Sequence, residues 1–158
     1  MKNTLHIFRG LPGSGKTTRA NRIGCLVVSP QDMFSTVGGE YRYADRIGES
    51  PSNDLQGRIQ AWAEHLVRQT LAIGADVAVA ETLCSLESLD RWVQIGLQKG
   101  AAVKVTDCVI EAWQSQKWNT HNVPAAVIDN MAEAWEPYSQ PIKKTYDQQP
   151  NARERSKP

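Results

Sequence analysis

The amino-acid sequence predicts a three-layer α/β fold, in which helices cover both faces of a parallel sheet. Short apolar runs of strand length alternate along the chain with longer stretches whose apolar residues recur at helical spacing. The helical stretches end at glycines, namely Gly24, Gly74 and Gly100, and the joints between elements are short. Alternation of this kind indicates parallel strands, because each parallel strand needs a crossover before the next one.

The length and composition fit one domain with a hydrophobic core, since 41% of the 158 residues are hydrophobic. Lys and Arg number 18 against 17 for Asp and Glu, so a net charge of +1 excludes attraction of the whole molecule to polyanions. No apolar run reaches membrane-spanning length, and no contact with a membrane is expected. Three scattered cysteines, Cys25, Cys84 and Cys108, fit reduced thiols. These features predict a soluble protein of the cytoplasm.

Residues 10–17 match the phosphate-binding pattern G-x-x-x-x-G-K-[ST] at every position. Gly13 and Gly15 permit backbone turns that a Cβ would forbid, so that successive amide groups can point at phosphate oxygens. Lys16 is expected to reach the β- and γ-phosphates, and the Thr17 hydroxyl to ligate Mg²⁺. The segment is therefore predicted to be a P-loop that binds ATP with Mg²⁺. Its predicted nucleotide-binding residues are Gly13, Ser14, Gly15, Lys16, Thr17 and Thr18.

The elements around this loop have the order that the motif requires, a strand over residues 4–8 and a helix over residues 16–23. Residues 25–29 are a continuous apolar run, typical of a parallel strand covered on both faces. The chain then leaves the sheet at a carboxyl edge, where open α/β sheets bind their ligands. Asp32 follows, and it is suited to ligate magnesium through water or to take a proton from an acceptor hydroxyl. It is equally suited to cap a turn or a short helix.

Residues 35–51 form a polar segment of a length that is usually functional or mobile. Aromatic rings alternate in it with guanidinium groups, at Tyr41, Arg42, Tyr43 and Arg46, a pairing that suits stacked bases and backbone phosphates. The alternative is an ordinary surface loop, in which such side chains are common.

A long helix is predicted over residues 52–73, because apolar residues recur in it at helical spacing. Its predicted inward face consists of Leu55, Ile59, Trp62, Leu66 and Leu71. The strand that follows, residues 76–82, ends in Glu81 at the ligand edge of the sheet. Acidic residues after such strands commonly hold magnesium in P-loop enzymes, so Glu81 is the second candidate carboxylate. A capping or salt-bridge role is the alternative.

The rest of the chain continues the alternation, with a helix over residues 85–99, a strand over residues 102–109, and helices over residues 111–118 and from Pro124. The polar segment between the last two helices is expected to act as a lid over the nucleotide. Lys117, Asn119 and His121 are expected to face phosphate from it. Residues 1–141 are thus predicted to form one P-loop domain with a helical lid. Residues 142–158 are predicted to be a basic, polar and mobile tail that adds nonspecific affinity for polyanions.

Several of these motifs resemble those of the small P-loop kinases typified by the kinase domain of phage polynucleotide kinase, with their AAA-labelled relatives. The resemblance covers about residues 4–138. It rests on residues 9–18, residues 29–34, Glu81 with Thr82, Asn119 to His121, Val123 with Pro124, Ile128 and Met131. It implies transfer of the γ-phosphoryl group of ATP to a hydroxyl, typically the 5′-hydroxyl of a nucleic-acid end, with magnesium. If the gene belongs to a phage, the compartment is the host cytoplasm.

The sequence departs from the resemblance at two positions. Members of the family often carry a paired Asp-Asp after the second strand, whose first member looks like the general base, and this chain has Gln31 there, followed by Asp32. An arginine often precedes the lid asparagine, and this chain has Trp118, with Lys117 as the neighbouring cation. The catalytic candidates are therefore Lys16, Asp32, Glu81 and Lys117, the magnesium ligands Thr17 and Glu81, and His121 joins the P-loop in contacting ATP.

Three hypotheses remain open at this point. The leading one is an ATP-dependent kinase for a hydroxyl of a nucleic acid or nucleotide, with DNA as the expected partner and Asp32 or Glu81 as base. The second, also suggested by the resemblance, is a phage kinase that phosphorylates hydroxymethyl-pyrimidine bases in DNA, with Trp118 stacked on the base. The third is a nucleotide-gated binding module without efficient transfer. The sequence makes no prediction of oligomeric state.

Overall fold

The computed structural model of the 158-residue chain describes residues 2–37, 53–138 and 153–156. Its elements are β1 (Thr4–Gly10), α1 (Lys16–Asn21), β2 (Leu26–Val28), α2 (Pro30–Thr36), α3 (Asn53–Ala72), β3 (Val77–Glu81), α4 (Leu86–Gln98), β4 (Ala102–Cys108), α5 (Ala112–Trp118), α6 (Ala125–Glu133) and β5 (Arg153–Ser156). Within these described stretches, none of the helices combines the length and apolar character needed to cross a bilayer.

The five strands form one sheet in the order β2-β3-β1-β4-β5, and every neighbouring pair is parallel. The central strand is β1, which leads directly into the P-loop. In the register of the sheet, Arg9 of β1 lies between Glu81 of β3 and Asp107 of β4. Because all strands are parallel, their carboxyl ends lie at the same edge, and this edge carries the candidate site.

Two apolar clusters lie on opposite faces of the sheet, which makes the fold three-layered. The larger cluster packs strand residues such as Leu5, Ile7 and Val79 against the buried faces of α3 and α4. The smaller cluster packs Phe8 of β1 against Ala20 of α1. The predicted fold class, an α/β P-loop fold with a parallel sheet, is therefore confirmed.

Two predicted burial patterns are wrong in detail. Ile59 and Leu71 are buried as predicted and Leu66 packs partly buried against the core, together with Ala63 and Val67. The predicted inward residues Leu55 and Trp62 are instead 36% and 42% exposed. The small side chain of Ala63 lets the helix approach its neighbours closely on this face, and the bulkier Trp62 then points outward. The strand β2 lies at an edge of the sheet, so its Leu26 is 46% exposed and not covered on both sides.

The predicted tail contributes a short strand that the sequence pattern did not indicate. Residues 153–156 of the predicted tail pair in parallel with β4, from Val105 to Cys108, and supply hydrogen-bond partners to an edge that would otherwise be open. The predicted tyrosine and arginine segment, with Tyr41, Arg42, Tyr43 and Arg46, lies outside the described residues.

Candidate nucleotide-binding site

A cavity of about 550 Å³ opens at the carboxyl edge of the sheet, next to the P-loop. Its walls come from the P-loop and the start of α1, the start of α2, the end of β3 with the loop that follows, and the α5–α6 region. The predicted site residues that line it are Gly13, Gly15, Lys16, Thr17, Thr18, Glu81 and His121. Those that do not line it, within the described part of the chain, are Ser14, Asp32 and Lys117.

The P-loop has the backbone that its glycines permit. Gly13 and Gly15 adopt left-handed conformations, with φ of 77° and 85°. A Cβ on Gly13 would also lie 2.7 Å from the carbonyl carbon of Trp118, at the end of α5. The Ser14 amide donates a hydrogen bond to the Leu11 carbonyl at 3.1 Å, inside the loop. Gly13 is therefore needed both for the turn and for the contact with α5.

Lys16 is held at the cavity wall by the loop itself. Its ammonium Nζ donates a hydrogen bond to the Leu11 carbonyl oxygen at 3.0 Å. Burial lowers the pKa of Lys16 to about 8, although nearby acidic groups, Glu81 and Asp32 among them, oppose the shift. A partly desolvated cation of this kind has strong affinity for phosphate oxygens.

Glu81 ends β3 on the other side of the cavity. Its Oε2 accepts a hydrogen bond from the indole Nε1 of Trp92 at 2.7 Å. Burial raises the pKa of Glu81, and this rise is opposed by the Trp92 hydrogen bond and by the charges of Arg91 and Lys16. Glu81 also lines two smaller cavities of about 290 and 390 Å³, so it stands where three cavities meet.

The residues present fit a magnesium ion bound with ATP. Thr17 and Glu81 offer a hydroxyl and a carboxylate oxygen at the cavity wall, and oxygen is the donor that magnesium prefers. Across the described residues, no cluster of three or more His, Cys, Asp or Glu side chains could hold a metal ion by itself. Magnesium commonly binds through one or two protein ligands together with substrate phosphates and water.

The start of α2 brings Gln31, and not Asp32, to the cavity. Ser29, Pro30 and Gln31 line the wall, whereas Asp32 is exposed in the first turn of the helix. A further step of about 100° around the helix separates Gln31 from Asp32, and Asp32 lies outside the lining. The charge of Asp32 still acts on Lys16, whose pKa it raises.

The predicted lid is anchored to the P-loop at its base. Ser115 of α5 is fully buried and its Oγ donates a hydrogen bond to the Pro12 carbonyl at 2.6 Å. Beyond α5, the side-chain Oδ1 of Asn119 accepts a hydrogen bond from the Val123 amide at 2.8 Å, which closes the turn between the helices. His121 lines the cavity together with Trp118 and Thr120, while Lys117 is exposed elsewhere on α5.

Arg9 is a buried charged residue that the sequence interpretation did not single out. Its guanidinium donates hydrogen bonds to the Leu83 carbonyl at 3.0 and 2.7 Å and to the Glu136 carbonyl at 2.8 Å. It pairs with Asp107 at 3.3 Å and stacks on the ring of Trp135, 4.1 Å from the ring centroid. Arg9 thereby ties the strand before the P-loop to the β3–α4 loop and to the segment after α6.

The same network fixes a wall of the cavity. Leu83 has a positive φ of 48°, a conformation that non-glycine residues rarely adopt, and its carbonyl accepts two of the Arg9 hydrogen bonds. Cys84 lines the cavity, and its carbonyl accepts hydrogen bonds from Arg9 at 3.2 Å and from the Glu136 amide at 2.8 Å. A signal for this network was present in the sequence, because opposite charges end two apolar strands at Arg9 and Asp107.

The AAA domain family matches residues 5–138 of the chain, which is most of its length. The chain belongs to the AAA domain family. Among curated proteins nothing matches. A chain of the Pnkp1/Rnl/Hen1 RNA repair complex superposes with a TM-score of 0.69 at 20% identity, over 84% of this chain and 44% of that chain. A second Pnkp1/Rnl/Hen1 structure is matched over 38% of its chain, so this AAA domain protein spans less than half of both.

Two further solved structures have similar folds and nucleotide analogues bound. The Mycobacterium tuberculosis APS kinase CysC, in complex with AMPPNP and APS, superposes with a TM-score of 0.58 at 14% identity, over 98% of this chain and 88% of that chain. Chaetomium thermophilum Kti12, in complex with ADP-AlF3, has a TM-score of 0.60 at 15% identity, over 89% of this chain and 84% of that chain. The predicted resemblance to P-loop kinases of the polynucleotide kinase type is confirmed at the level of family and fold.

Proposed function

We propose that this AAA domain protein is an ATP-dependent kinase that transfers the γ-phosphoryl group to a hydroxyl of a nucleic acid or nucleotide. The observation that carries the proposal is that Lys16, Thr17 and Glu81 line one cavity beside the P-loop. An ammonium, a hydroxyl and a carboxylate in this arrangement are the groups that phosphoryl transfer requires around a nucleoside triphosphate.

In the reaction, the acceptor oxygen forms a bond to the γ-phosphorus while the bond from that phosphorus to the bridging oxygen breaks, and ADP leaves. Lys16 and the P-loop amides hold the phosphates and neutralise the charge that develops on them. Thr17 and Glu81 would hold a magnesium ion bound with ATP, and such an ion would supply further neutralisation of the phosphate charge. His121, which lines the cavity from the lid, contacts the phosphates when the nucleotide binds.

The acceptor hydroxyl gives up its proton to a general base, and two carboxylates, Asp32 and Glu81, are the candidates. Asp32 is exposed at the start of α2, next to the cavity residue Gln31. Glu81 has a raised pKa because of burial, which suits a group that takes up a proton, and it borders two cavities beyond the P-loop. Asp32→Asn separates the two, because Asp32 is not a proposed magnesium ligand: loss of transfer with ATP binding kept would identify Asp32 as the base, and normal transfer would assign the proton to Glu81.

A nucleic-acid acceptor is supported by the aromatic edge of the cavity. Trp118 is 44% exposed and lines the cavity, so its ring is available to stack on a base. The fold resemblance to a chain of an RNA repair complex points in the same direction. Hydroxymethylated pyrimidines in DNA are the second acceptor class, since their acceptor hydroxyl is attached to the base itself.

The test is transfer of label from γ-labelled ATP to a panel of acceptors. The panel contains 5′-hydroxyl DNA and RNA, hydroxymethylated DNA and nucleosides. We expect label on one nucleic-acid class with the wild-type protein and none with Lys16→Ala. Lys117→Ala tests the lid cation: unchanged transfer would exclude Lys117, whose side chain lies outside the cavity wall.

A second candidate function is favoured by Gln31. This amide stands in the cavity wall where a kinase of the resembling family carries a carboxylate, and an amide takes no proton. A binding module would fill with ATP and transfer nothing. Tight ATP binding without label on any acceptor would favour the module over the kinase.

A further inference from the structure

Trp92 is a buried aromatic residue whose polar atom serves the candidate site. It lies on the inward face of α4 and is 1% exposed. Its indole nitrogen donates to Oε2 of Glu81 at 2.7 Å, a short bond of the kind that charged acceptors make. Because an indole N–H can only donate and an ionised carboxylate can only accept, the direction of this hydrogen bond is fixed, from Trp92 to Glu81.

The other carboxylate oxygen is left for the cavity. Among the described residues, Oε1 of Glu81 accepts no hydrogen bond, and Glu81 lines the P-loop cavity. The charged groups around Glu81 come from three helices: Lys16 on α1, Glu64 on α3 and Arg91 on α4. Arg91 is itself paired with Glu64 at 2.7 Å, so Trp92 supplies the only side-chain hydrogen bond to Glu81 in the described structure.

We propose that Trp92 is a positioning residue for the magnesium site: its indole N–H fixes Oε2 of Glu81 so that Oε1 is presented to the magnesium ion or its water. This rests on the proposed function, in which Glu81 holds magnesium with ATP. Both partners stand on rigid elements, β3 and α4, which is the arrangement that preorganises a ligand. Hydrogen-bond partners of metal ligands typically change metal affinity about 10- to 100-fold when they are removed.

The first test uses the unmodified protein with its tryptophans labelled with nitrogen-15. The five indole N–H groups give separate NMR signals, and Trp92→Phe assigns the one of interest. We expect addition of magnesium to the ATP complex to shift the Trp92 signal and to leave that of Trp62 in place, because Trp62 lies on the outer face of α3. A Trp92 signal that does not respond would overturn the proposal.

The second test measures ATP binding by calorimetry with magnesium and with a chelator. Trp92→Phe keeps the aromatic packing and removes the donor. We expect it to reduce the gain in affinity from magnesium about tenfold and to leave metal-free binding unchanged. Trp62→Phe is the matched control and should change neither. A loss of both affinities in equal proportion would show a structural role and overturn the proposal.

A double variant separates action through Glu81 from general damage. In the Glu81→Gln background, Trp92→Phe should have no further effect on the magnesium gain, because the group it positions is already gone. Additive losses would contradict the inference. If magnesium did not change the ATP affinity of the wild-type protein, the assignment of a magnesium site would be wrong. If magnesium raised the ATP affinity but no phosphoryl transfer occurred, the proposed kinase activity would be wrong and this inference would still hold.

Discussion

Arg9 shows how one buried residue can fix the backbone segments that form a wall of the site. Burial of a guanidinium destabilises the folded protein unless its hydrogen-bond donors and its charge find partners. The buried Arg9 guanidinium finds them in carbonyl groups of two segments, in the Asp107 carboxylate and in the Trp135 ring. Burial lowers the pKa of Arg9, and the charge of Asp107 opposes that shift. The residue thus holds the β3–α4 loop and the segment after α6 in one geometry.

Removal of Arg9 is expected to destabilise the protein strongly. Arg9→Met would leave Asp107 buried without its cation, and we expect the free energy of unfolding in urea to fall by about 3–5 kcal/mol. Arg22→Met, at an exposed position, is the control and should change it by no more than about 0.5 kcal/mol. Adding Asp107→Leu to Arg9→Met should recover part of the loss. A loss as small as that of the control would contradict a buried pair.

The lowered pKa of Lys16 predicts how proton uptake on ATP binding depends on pH. Burial lowers its pKa to about 8, so below that pH the free protein already carries the ammonium and above it the amine is largely neutral. Bound phosphates raise the pKa of a nearby lysine, so ATP binding must take up a proton above pH 8 and not below it. Calorimetry in buffers of different ionisation enthalpy, about one pH unit either side, measures this.

The control for the proton count is Lys16→Arg, because a guanidinium stays charged at every pH used. We expect this variant to take up no proton on ATP binding on either side of pH 8. Equal uptake by the wild type and the variant would assign the proton to another group.

At the scale of residues, the sequence predicts which residues lie near the site better than it predicts the direction in which their side chains point. The P-loop motif identified Lys16 and Thr17 because its spacing is tied to one backbone shape. Position after a strand made Glu81 and Asp32 candidates at this edge of the sheet; Glu81 lines the cavity, and Asp32 is exposed beside the lining residue Gln31. Arg9 was missed because a charge at the end of a strand is usually solvated, and its burial depends on partners about a hundred residues away.

At the scale of elements, the P-loop and α5 form one contact surface. The backbone at Trp118 and Asn119 packs on Gly13, and Ser115 hydrogen-bonds to Pro12. Because α5 leads into the predicted lid, these contacts fix the P-loop and the helix that precedes the predicted lid to each other.

This contact predicts different outcomes for two glycines with the same backbone. Gly13 and Gly24 both have left-handed φ values, 77° and 81°, but a Cβ on Gly24 meets nothing within 4 Å. Substitution by alanine should cost each about 1–2 kcal/mol of stability. Gly13→Ala should also push the loop away from α5 and lower ATP affinity at least about tenfold, equivalent to about 1.4 kcal/mol. Calorimetry compares the two; equal ATP affinities would show that the contact does not matter for binding.

The order and type of the elements were predictable because local patterns determine them. Of the eleven elements in the described part of the chain, strand runs, helical spacing and terminal glycines gave nine within a few residues. The exceptions are α2, which was expected as a turn or short helix, and β5, which was not expected. The face of α3 was not predictable, since Trp62 and Ala63 are equally compatible with a helix, and packing against the neighbouring layer decides between them. Pairing of β5 with β4 is likewise a tertiary event, which the composition of residues 153–156 does not signal.

At the scale of the whole molecule, the strand order gathers the site from distant parts of the chain. With β1 central and β3 beside it, the P-loop and Glu81 meet at one edge although more than sixty positions separate them in sequence. The cavity therefore exists only in the folded chain. A ligand of this cavity binds the native state and not the unfolded one.

ATP with magnesium should consequently stabilise the whole fold. At about 100 times the dissociation constant, linkage raises the free energy of unfolding by about 2.7 kcal/mol, a rise of about 5–10 °C in melting temperature for a chain of this size. Lys16→Ala should lose most of this shift, whereas Lys99→Ala, exposed after α4 at the opposite end of the sheet, should keep it. Thermal unfolding with and without ATP, GTP and their non-hydrolysable analogues measures the effect. Because linkage needs binding alone, a wild-type protein that none of them stabilises would exclude a nucleotide site, whether or not the protein is a kinase.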